Sequence, residues 1–199
     1  IFNIYLIWGD QHFALSQFDV PALHFRFLSS YLITIDSIVS VTFLFLVTLF
    51  YRWYGKHWRQ PDELTKMIIG AAFSVAGMAC LFMAAATTPP GHKVSMLWPM
   101  LFELMNSIGF AHMLPVSLAL FARLAPKSLN ATVIGFYYLS FFAANSLIGW
   151  IGGFYVTMPT TSFWLIHAGC AAFAGLVFLA FKLLLARRLM RDDSVEIAG

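Results

Sequence analysis

The segment that decides the fold is FARLAPKSLNATVIGFYYLSFFAANSLIGWIGG, residues 121–153. After the basic turn at its start, the chain runs from Ala131 to Tyr155 without a charged residue. About 20 consecutive, mainly apolar residues in a helix are enough to cross the hydrocarbon core of a bilayer. The segment therefore predicts a transmembrane helix over residues 131–155.

The remainder of the 199-residue chain has the same character, with 60% hydrophobic and only 11% charged residues. A soluble domain carries about 25% charged residues. We predict an all-α integral membrane protein in which one bundle of six transmembrane helices occupies residues 1–199. The first run is shorter than a complete span, so we expect the chain to begin inside a helix. The predicted spans are 1–15, 27–51, 65–87, 96–124, 131–155 and 163–185, followed by a polar tail at 186–199.

Ten of the 12 basic residues fall on one side of these spans, and only Arg26 and Lys93 fall on the other. Because Lys and Arg are enriched in cytoplasmic loops, that side is predicted to be the cytoplasm, together with both ends of the chain. We expect the apolar surface of these spans to lie in a lipid bilayer. The chain has no basic tract with interleaved aromatic residues, so we do not expect it to bind nucleic acid. The ten residues are Arg52, Lys56, Arg59, Lys66, Arg123, Lys127, Lys182, Arg187, Arg188 and Arg191.

Three acids lie within predicted spans, namely Asp10, Asp36 and Glu103. A charge at the bilayer centre costs about 2.5 to 3.5 kcal/mol on insertion scales, so we expect these acids to face a bundle interior or a water-filled cavity. No Lys or Arg is predicted at a comparable depth. Either the acids are protonated, or their basic partner lies in preceding sequence, and both alternatives indicate a proton-handling site.

Helical spacing groups some of these polar residues. Asp36 and Ser40 are four residues apart in the second predicted span, whereas Glu103, Asn106 and Phe110 follow one another at spacings of three and four in the fourth. Residues at such spacings share one face of a helix. We expect both faces to line the interior. A second small-residue pattern, Gly149 with Gly153, is typical of close helix packing.

An enzyme would need a catalytic constellation, and the chain offers none. It contains no His-x-x-x-His pair, no Gly-x-Ser-x-Gly motif and no phosphate-binding glycine loop, so we expect neither a metal nor an organic cofactor. No spacing of residues therefore favours an enzyme. An intramembrane enzyme and a non-catalytic membrane subunit stay open as alternatives to a carrier.

Six spans with cytoplasmic ends match one half of a major facilitator transporter, which is built from 3+3 inverted repeats. Local motifs narrow this match. Three parts of the chain carry these motifs: the LAP turn with the following helix that contains Gly135, Tyr138, Leu139 and Asn145, the segment WRQPDELTKMIIG (58–70) and the segment WGDQ (8–11). Together they resemble the C-terminal half of the proton-dependent oligopeptide transporter family.

That resemblance implies a symporter that uses the proton as coupling ion and imports short peptides or peptide-like solutes, with an N-terminal six-helix half as partner. It implies a bacterial cytoplasmic (inner) membrane location. Asp10 falls at the family's seventh-helix carboxylate, which implies a role in proton coupling and in a gate ion pair with the N-terminal half. The residues that the spacing and the resemblance together assign to the central cavity are Asp36, Glu103, Asn106, Phe110, Tyr137 and Asn145.

One departure from the family pattern concerns the tenth helix. The segment GFAHMLP (109–115) aligns with the family's Gly-Glu-Leu-x-x-Ser-Pro. Phe110 thus replaces the glutamate that holds the amino group of the peptide, and Leu114 replaces the serine. The departure leaves three alternatives: Glu103, two turns away on the same face, partly substitutes for the missing glutamate, the substrate lacks a free amine, or the protein is a divergent member of the family.

Overall fold

The computed structural model describes residues 2–126 and 128–197, and the regular elements within these ranges are helical. Two short 3-10 turns, Leu15–Phe18 and Pro21–Leu23, connect the first two helices. Lys127 and the last two residues of the predicted tail lie outside the described part of the chain. The helices are α1 (Phe2–His12), α2 (Tyr31–His57), α3 (Glu63–Thr87), α4 (Leu97–Leu124), α5 (Asn130–Gly152) and α6 (Thr160–Ile197).

Helices α2 to α6 are long and apolar enough to cross a membrane. The described part of α1 has 11 residues, which span about 16 Å, roughly half of a hydrocarbon core. The all-helical membrane architecture predicted from the sequence is confirmed to this extent. Helix α6 does not end near residue 185, where the predicted span ends, but continues through most of the predicted tail.

Local sequence explains where α3 begins. Pro61 disfavours a helical conformation at the residue before it, which separates α3 from α2. Asp62 then caps α3, because its Oδ1 accepts hydrogen bonds from the Thr65 backbone N–H at 2.7 Å and from the Thr65 hydroxyl at 2.8 Å. A capping carboxylate satisfies an amide that would otherwise lack a partner in the first turn.

The bundle is organised around α3, which packs most extensively on α4 and α6, while α2 packs on α4. Glycines make the α3–α4 crossing possible. A Cβ atom at Gly109 would lie 2.9 Å from the Gly70 carbonyl oxygen, and a Cβ at Gly70 would lie 2.9 Å from the Gly109 carbonyl oxygen. The Gly149–Gly153 pattern has no such role within the described chain, since a Cβ at Gly149 would meet nothing within 4 Å.

Aromatic rings hold α1 against α4 and α6. The ring of Trp8 lies 5.3 Å from that of Trp164 and 5.0 Å from that of Phe13, while Tyr5 lies 4.9 Å from Phe102, measured between centroids. All five side chains are at most 2% exposed. By contrast, α2 and α5 leave most of their apolar side chains exposed, which is typical of surfaces that face lipid or another protein segment.

Candidate functional site

A cavity of about 430 Å³ lies between α3, α4, α5 and α6. Cavities of this size are typical of small-molecule sites, which are mostly apolar with a few polar groups. None of the lining side chains is charged. The aromatic part of the wall consists of Phe110, Phe121, Tyr137, Phe141 and Phe178, and the polar part of Ser74, Asn106, Ser117 and Ser140.

A buried hydrogen bond joins two polar groups of this wall. Ser117 Oγ and the Tyr137 hydroxyl are 2.8 Å apart, which ties α4 to α5. Ser117 Oγ also donates to the Met113 carbonyl at 2.7 Å, so its single proton is used there and the Tyr137 hydroxyl is the donor between the two. Tyr137 is therefore held in place by the cavity wall itself.

Asn106 is a polar group of the cavity wall that is available to a ligand. Its amide forms no hydrogen bond with the part of the chain that the structure describes, whereas Ser117 and Ser140 are already bonded. An amide can both donate and accept hydrogen bonds. Asn106 can therefore bind either a carbonyl oxygen or an N–H group of a solute in the cavity.

Three of the six residues predicted for the central cavity, Asn106, Phe110 and Tyr137, are among the residues that line this cavity. Phe110 is 42% exposed and presents an apolar ring to the cavity. Asn145 lies next to the lining residue Ala144, but its own side chain is exposed and donates to the Phe141 carbonyl at 2.8 Å. Consecutive helical residues point about 100° apart, which explains this one-residue offset.

Asp36 and Glu103 lie away from the cavity lining, where α2 meets α4. Glu103 is only 1% exposed, and its carboxyl faces the carboxyl of Asp36 and the hydroxyl of Tyr5 from α1. One helical turn further along, Ser40 Oγ and Ser107 Oγ are 3.0 Å apart across the same helix pair. Glu103 is therefore enclosed by helices and does not reach the position of Phe110.

Asp10 is exposed in the last turn of α1. Backbone hydrogen bonds fasten this end of the helix to the loop before α4, from Val94 N to the His12 carbonyl at 2.7 Å and from Ala14 N to the Val94 carbonyl at 2.9 Å. Lys93 Nζ donates to the Gln11 carbonyl at 2.7 Å. The helix dipole also favours a cation at this C-terminal end of α1. No described Lys or Arg forms an ion pair with Asp10 itself.

Two ion pairs at the start of α3 were not anticipated from the sequence. Asp62 pairs with Lys182 of α6, and Glu63 pairs with Arg123 of α4, both at 2.9 Å. Burial disfavours the charge of Asp62, but the hydrogen bonds from Lys182 and Thr65 outweigh it, so the pKa of the Asp62 carboxyl is lowered. The two pairs join the start of α3 to the last turn of α4 and to the middle of α6.

Sequence reasoning also missed several lining residues. Those on α4 carried a signal, because Met113, Ser117 and Phe121 continue the helical spacing of Asn106 and Phe110 on both sides of Pro115. The lining residues Met67 of α3 and Phe178 of α6 carried none, because nothing local to either helix indicates which neighbour it faces.

Comparison with known proteins identifies a peptide transporter as a relative. Over 121 residues the chain is 29% identical to the peptide transporter YePEPT of Yersinia enterocolitica subsp. palearctica. The match covers 58% of this chain and 24% of that protein. No family model matches the chain.

Solved structures of POT transporters share the fold. A peptide transporter POT in complex with sulfate superposes with a TM-score of 0.78 at 20% identity, covering 92% of this chain and 36% of that one. A POT family transporter in complex with 5-aminolevulinic acid superposes with a TM-score of 0.77 at 19% identity, covering 90% of this chain and 36% of that one. A mutant of peptide transporter POT in complex with alafosfalin superposes with a TM-score of 0.78 at 22% identity, covering 92% of this chain and 36% of that one.

The chain thus spans about a quarter of its curated relative and about a third of these structures. The resemblance that the sequence motifs indicated is confirmed. The proteins that this chain resembles are transporters and not enzymes.

Proposed function

We propose that this chain forms the C-terminal six-helix half of a proton-coupled symporter that imports short peptides or peptide-like solutes. The observation that carries the proposal is a fold shared with POT transporters over 92% of the chain, combined with a cavity whose walls are uncharged and aromatic. In this proposal an N-terminal half covers the exposed faces of the bundle, and the substrate binds between the halves, as in other facilitator-type carriers.

The chemistry of the cavity supports a peptide-like solute with apolar side chains. Phe110 and Phe141 offer apolar contact area, and Asn106 offers a donor and an acceptor suited to a peptide group. No carboxylate lines the cavity to hold an ammonium group. The charged ends of a peptide would then be bound by the N-terminal half, or the preferred solute would lack a free amine.

Asp10 is the proposed proton-responsive gate acid. Its exposure in α1, without an ion-pair partner among the described residues, leaves it available to a basic group of the N-terminal half. The positive-inside distribution of Lys and Arg supports an orientation in which Asp10 is near the outer side of the membrane, where a gate to the exterior must open. Asp36 and Glu103 are not proposed as substrate contacts, because neither reaches the cavity.

The substrate class can be tested by uptake measurements. The full-length protein is expressed in the inner membrane of a bacterial host that lacks its own peptide carriers, and uptake of a labelled dipeptide is measured against a non-expressing control. We expect unlabelled di- and tripeptides, or their N-acetylated forms, to compete, and free amino acids to compete poorly. Failure of every peptide and acetylated peptide to be taken up or to compete would contradict the proposal.

A further inference from the structure

The Asp36–Glu103 cluster, defined by these two residues and Tyr5, is separate from the substrate cavity and has no role in the proposed binding of a solute. Its members come from α2, α4 and α1 respectively. Glu103 is only 1% exposed, and Asp36 is half-buried at the edge of the same contact. The cluster therefore places one enclosed acid and one partly exposed acid at the same helix interface.

The groups that face the Glu103 carboxyl are the Asp36 carboxyl and the Tyr5 hydroxyl, and neither is a cation, while Asp36 Oδ1 has no described hydrogen bond. A buried carboxylate without a counter-ion is strongly disfavoured, because a single hydroxyl compensates only part of the lost water. Two carboxylates that share a site also repel each other, so that one of them retains its proton. A protonated carboxyl can donate to the other carboxyl, which resolves both difficulties.

Other titratable groups near the cluster do not supply a positive charge. Tyr5 is the group that α1 contributes. Helix α3, which packs on α4, has no charged residue from Met67 to its end, and the Lys and Arg side chains in described ion pairs bind Asp62 and Glu63 instead. His167 is buried in α6, and its Nδ1 forms a hydrogen bond of 2.9 Å with the Phe163 carbonyl of the same helix.

We propose that Asp36 and Glu103 form a second proton-binding site, distinct from Asp10, in which one proton is shared between the two carboxyls and holds α2 against α4. Glu103 is the enclosed partner, and Asp36, which is partly exposed, is the partner through which the proton enters and leaves. The Ser40–Ser107 hydrogen bond fixes the same helix pair one turn away and keeps the two carboxyls in register. The ligand is a proton and not a metal ion, because hard cations require more oxygen ligands than two carboxyl groups supply.

Infrared spectroscopy of the purified full-length protein in detergent tests this site without any transport measurement, so its outcome is separable from the proposed function. A protonated carboxyl gives a C=O stretching band that a carboxylate lacks and that shifts in heavy water. We expect this band at neutral pH in the unmodified protein, its loss in Glu103→Gln, and its shift or loss in Asp36→Asn. The matched control is Glu63→Gln, which removes a carboxylate already paired with Arg123 and should leave the band unchanged.

Three results would overturn the proposal. The first is the absence of a protonated carboxyl band at neutral pH in the unmodified protein. The second is a band that Asp10→Asn removes while Glu103→Gln and Asp36→Asn leave it unchanged. The third is a melting temperature that rises in sodium chloride relative to choline chloride and loses this rise in Glu103→Gln, which would identify a bound cation. If Glu103→Gln does not fold, the band of the unmodified protein and its response to Asp36→Asn decide the question.

Discussion

The hydroxyl of Tyr137 donates to Ser117 Oγ at 2.8 Å, and this buried bond connects α4 with α5 at the wall of the cavity. Fewer contacts join these two helices than join α3 to α4 or α3 to α6. The bond therefore fixes both the position of a helix that is otherwise loosely held and the orientation of a ring that lines the cavity.

Tyr137→Phe should lower the free energy of unfolding by about 0.5 to 1.5 kcal/mol, the usual net value of one hydrogen bond. Ser117 keeps its bond to the Met113 carbonyl, so no buried donor is left without a partner. The control is Tyr138→Phe, because Tyr138 is exposed and its hydroxyl has no described hydrogen bond. Thermal unfolding of both variants in detergent provides the measurement, and equal effects would contradict the role of the Ser117–Tyr137 bond.

Phe110→Glu should improve the binding of dipeptides with a free amino group over their N-acetylated forms. The ring of Phe110 can attract a cation by about 0.5 to 2 kcal/mol, whereas removing one partner of a buried charge pair commonly costs about 2 to 5 kcal/mol. We therefore expect the unmodified protein to bind simple dipeptides poorly. A competition series with free and acetylated versions of one dipeptide measures the change.

The matched control for that series is Phe121→Glu, which places the same acid in the same cavity about three turns further along α4. We expect no preference for the free amine in this variant. Tight binding by the unmodified protein that depends on the free amine would show that another group already holds the ammonium, and the interpretation of Phe110 would then be wrong.

Gly109→Ala should destabilise the protein by about 1 to 3 kcal/mol, as overpacking of a closely packed contact does. Its Cβ would lie 2.7 Å from Ser74 Oγ and 2.9 Å from the Gly70 carbonyl oxygen, and the backbone of α3 cannot move aside without separating the helices. Gly135→Ala is the control, because a Cβ there meets nothing within 4 Å and alanine favours a helix by about 0.5 to 1 kcal/mol. Melting temperatures that change in the same direction in both variants would contradict this account of the α3–α4 crossing.

The sequence predicted the membrane helices well because each is a long apolar run bounded by charge, proline or glycine. It also predicted that Glu103, Asn106 and Phe110 share a face of α4. It could not predict that this face passes from a helix interface at Glu103 to an open cavity at Phe110, because the change depends on where α1 and α2 end against α4. Spacing along one helix gives the direction of a side chain but not the neighbour that covers it.

Asp62→Asn should lower stability slightly at neutral pH, by less than about 1 kcal/mol, since the pair with Lys182 is exposed to solvent. Asparagine remains a good N-cap, so the change removes the charge and keeps the cap of α3. Because the pKa of Asp62 is lowered below its ordinary 3.8, its contribution is complete above that value and is lost as the pH falls through the folded-state pKa.

The measurement is the difference in melting temperature between Asp62→Asn and the unmodified protein as a function of pH. We expect this difference to disappear in acid and to be smaller when Lys182→Met is already present, because only the hydrogen bonds from Thr65 then favour the charged carboxyl. A difference that grows as the pH falls would contradict the assigned direction.

The central claim is that the protein couples peptide entry to proton entry through Asp10. The most direct test is the accumulation of a labelled dipeptide, or its acetylated form, in proteoliposomes that carry the full-length protein and an imposed inward proton gradient. Asp19→Asn is the control variant, since asparagine can still accept the hydrogen bond that Asp19 receives from the Phe27 N–H. We predict that the unmodified protein and Asp19→Asn accumulate the substrate only with the gradient, while Asp10→Asn exchanges substrate without accumulating it. Accumulation by Asp10→Asn equal to that of the unmodified protein, or accumulation that does not depend on the gradient, would contradict the account.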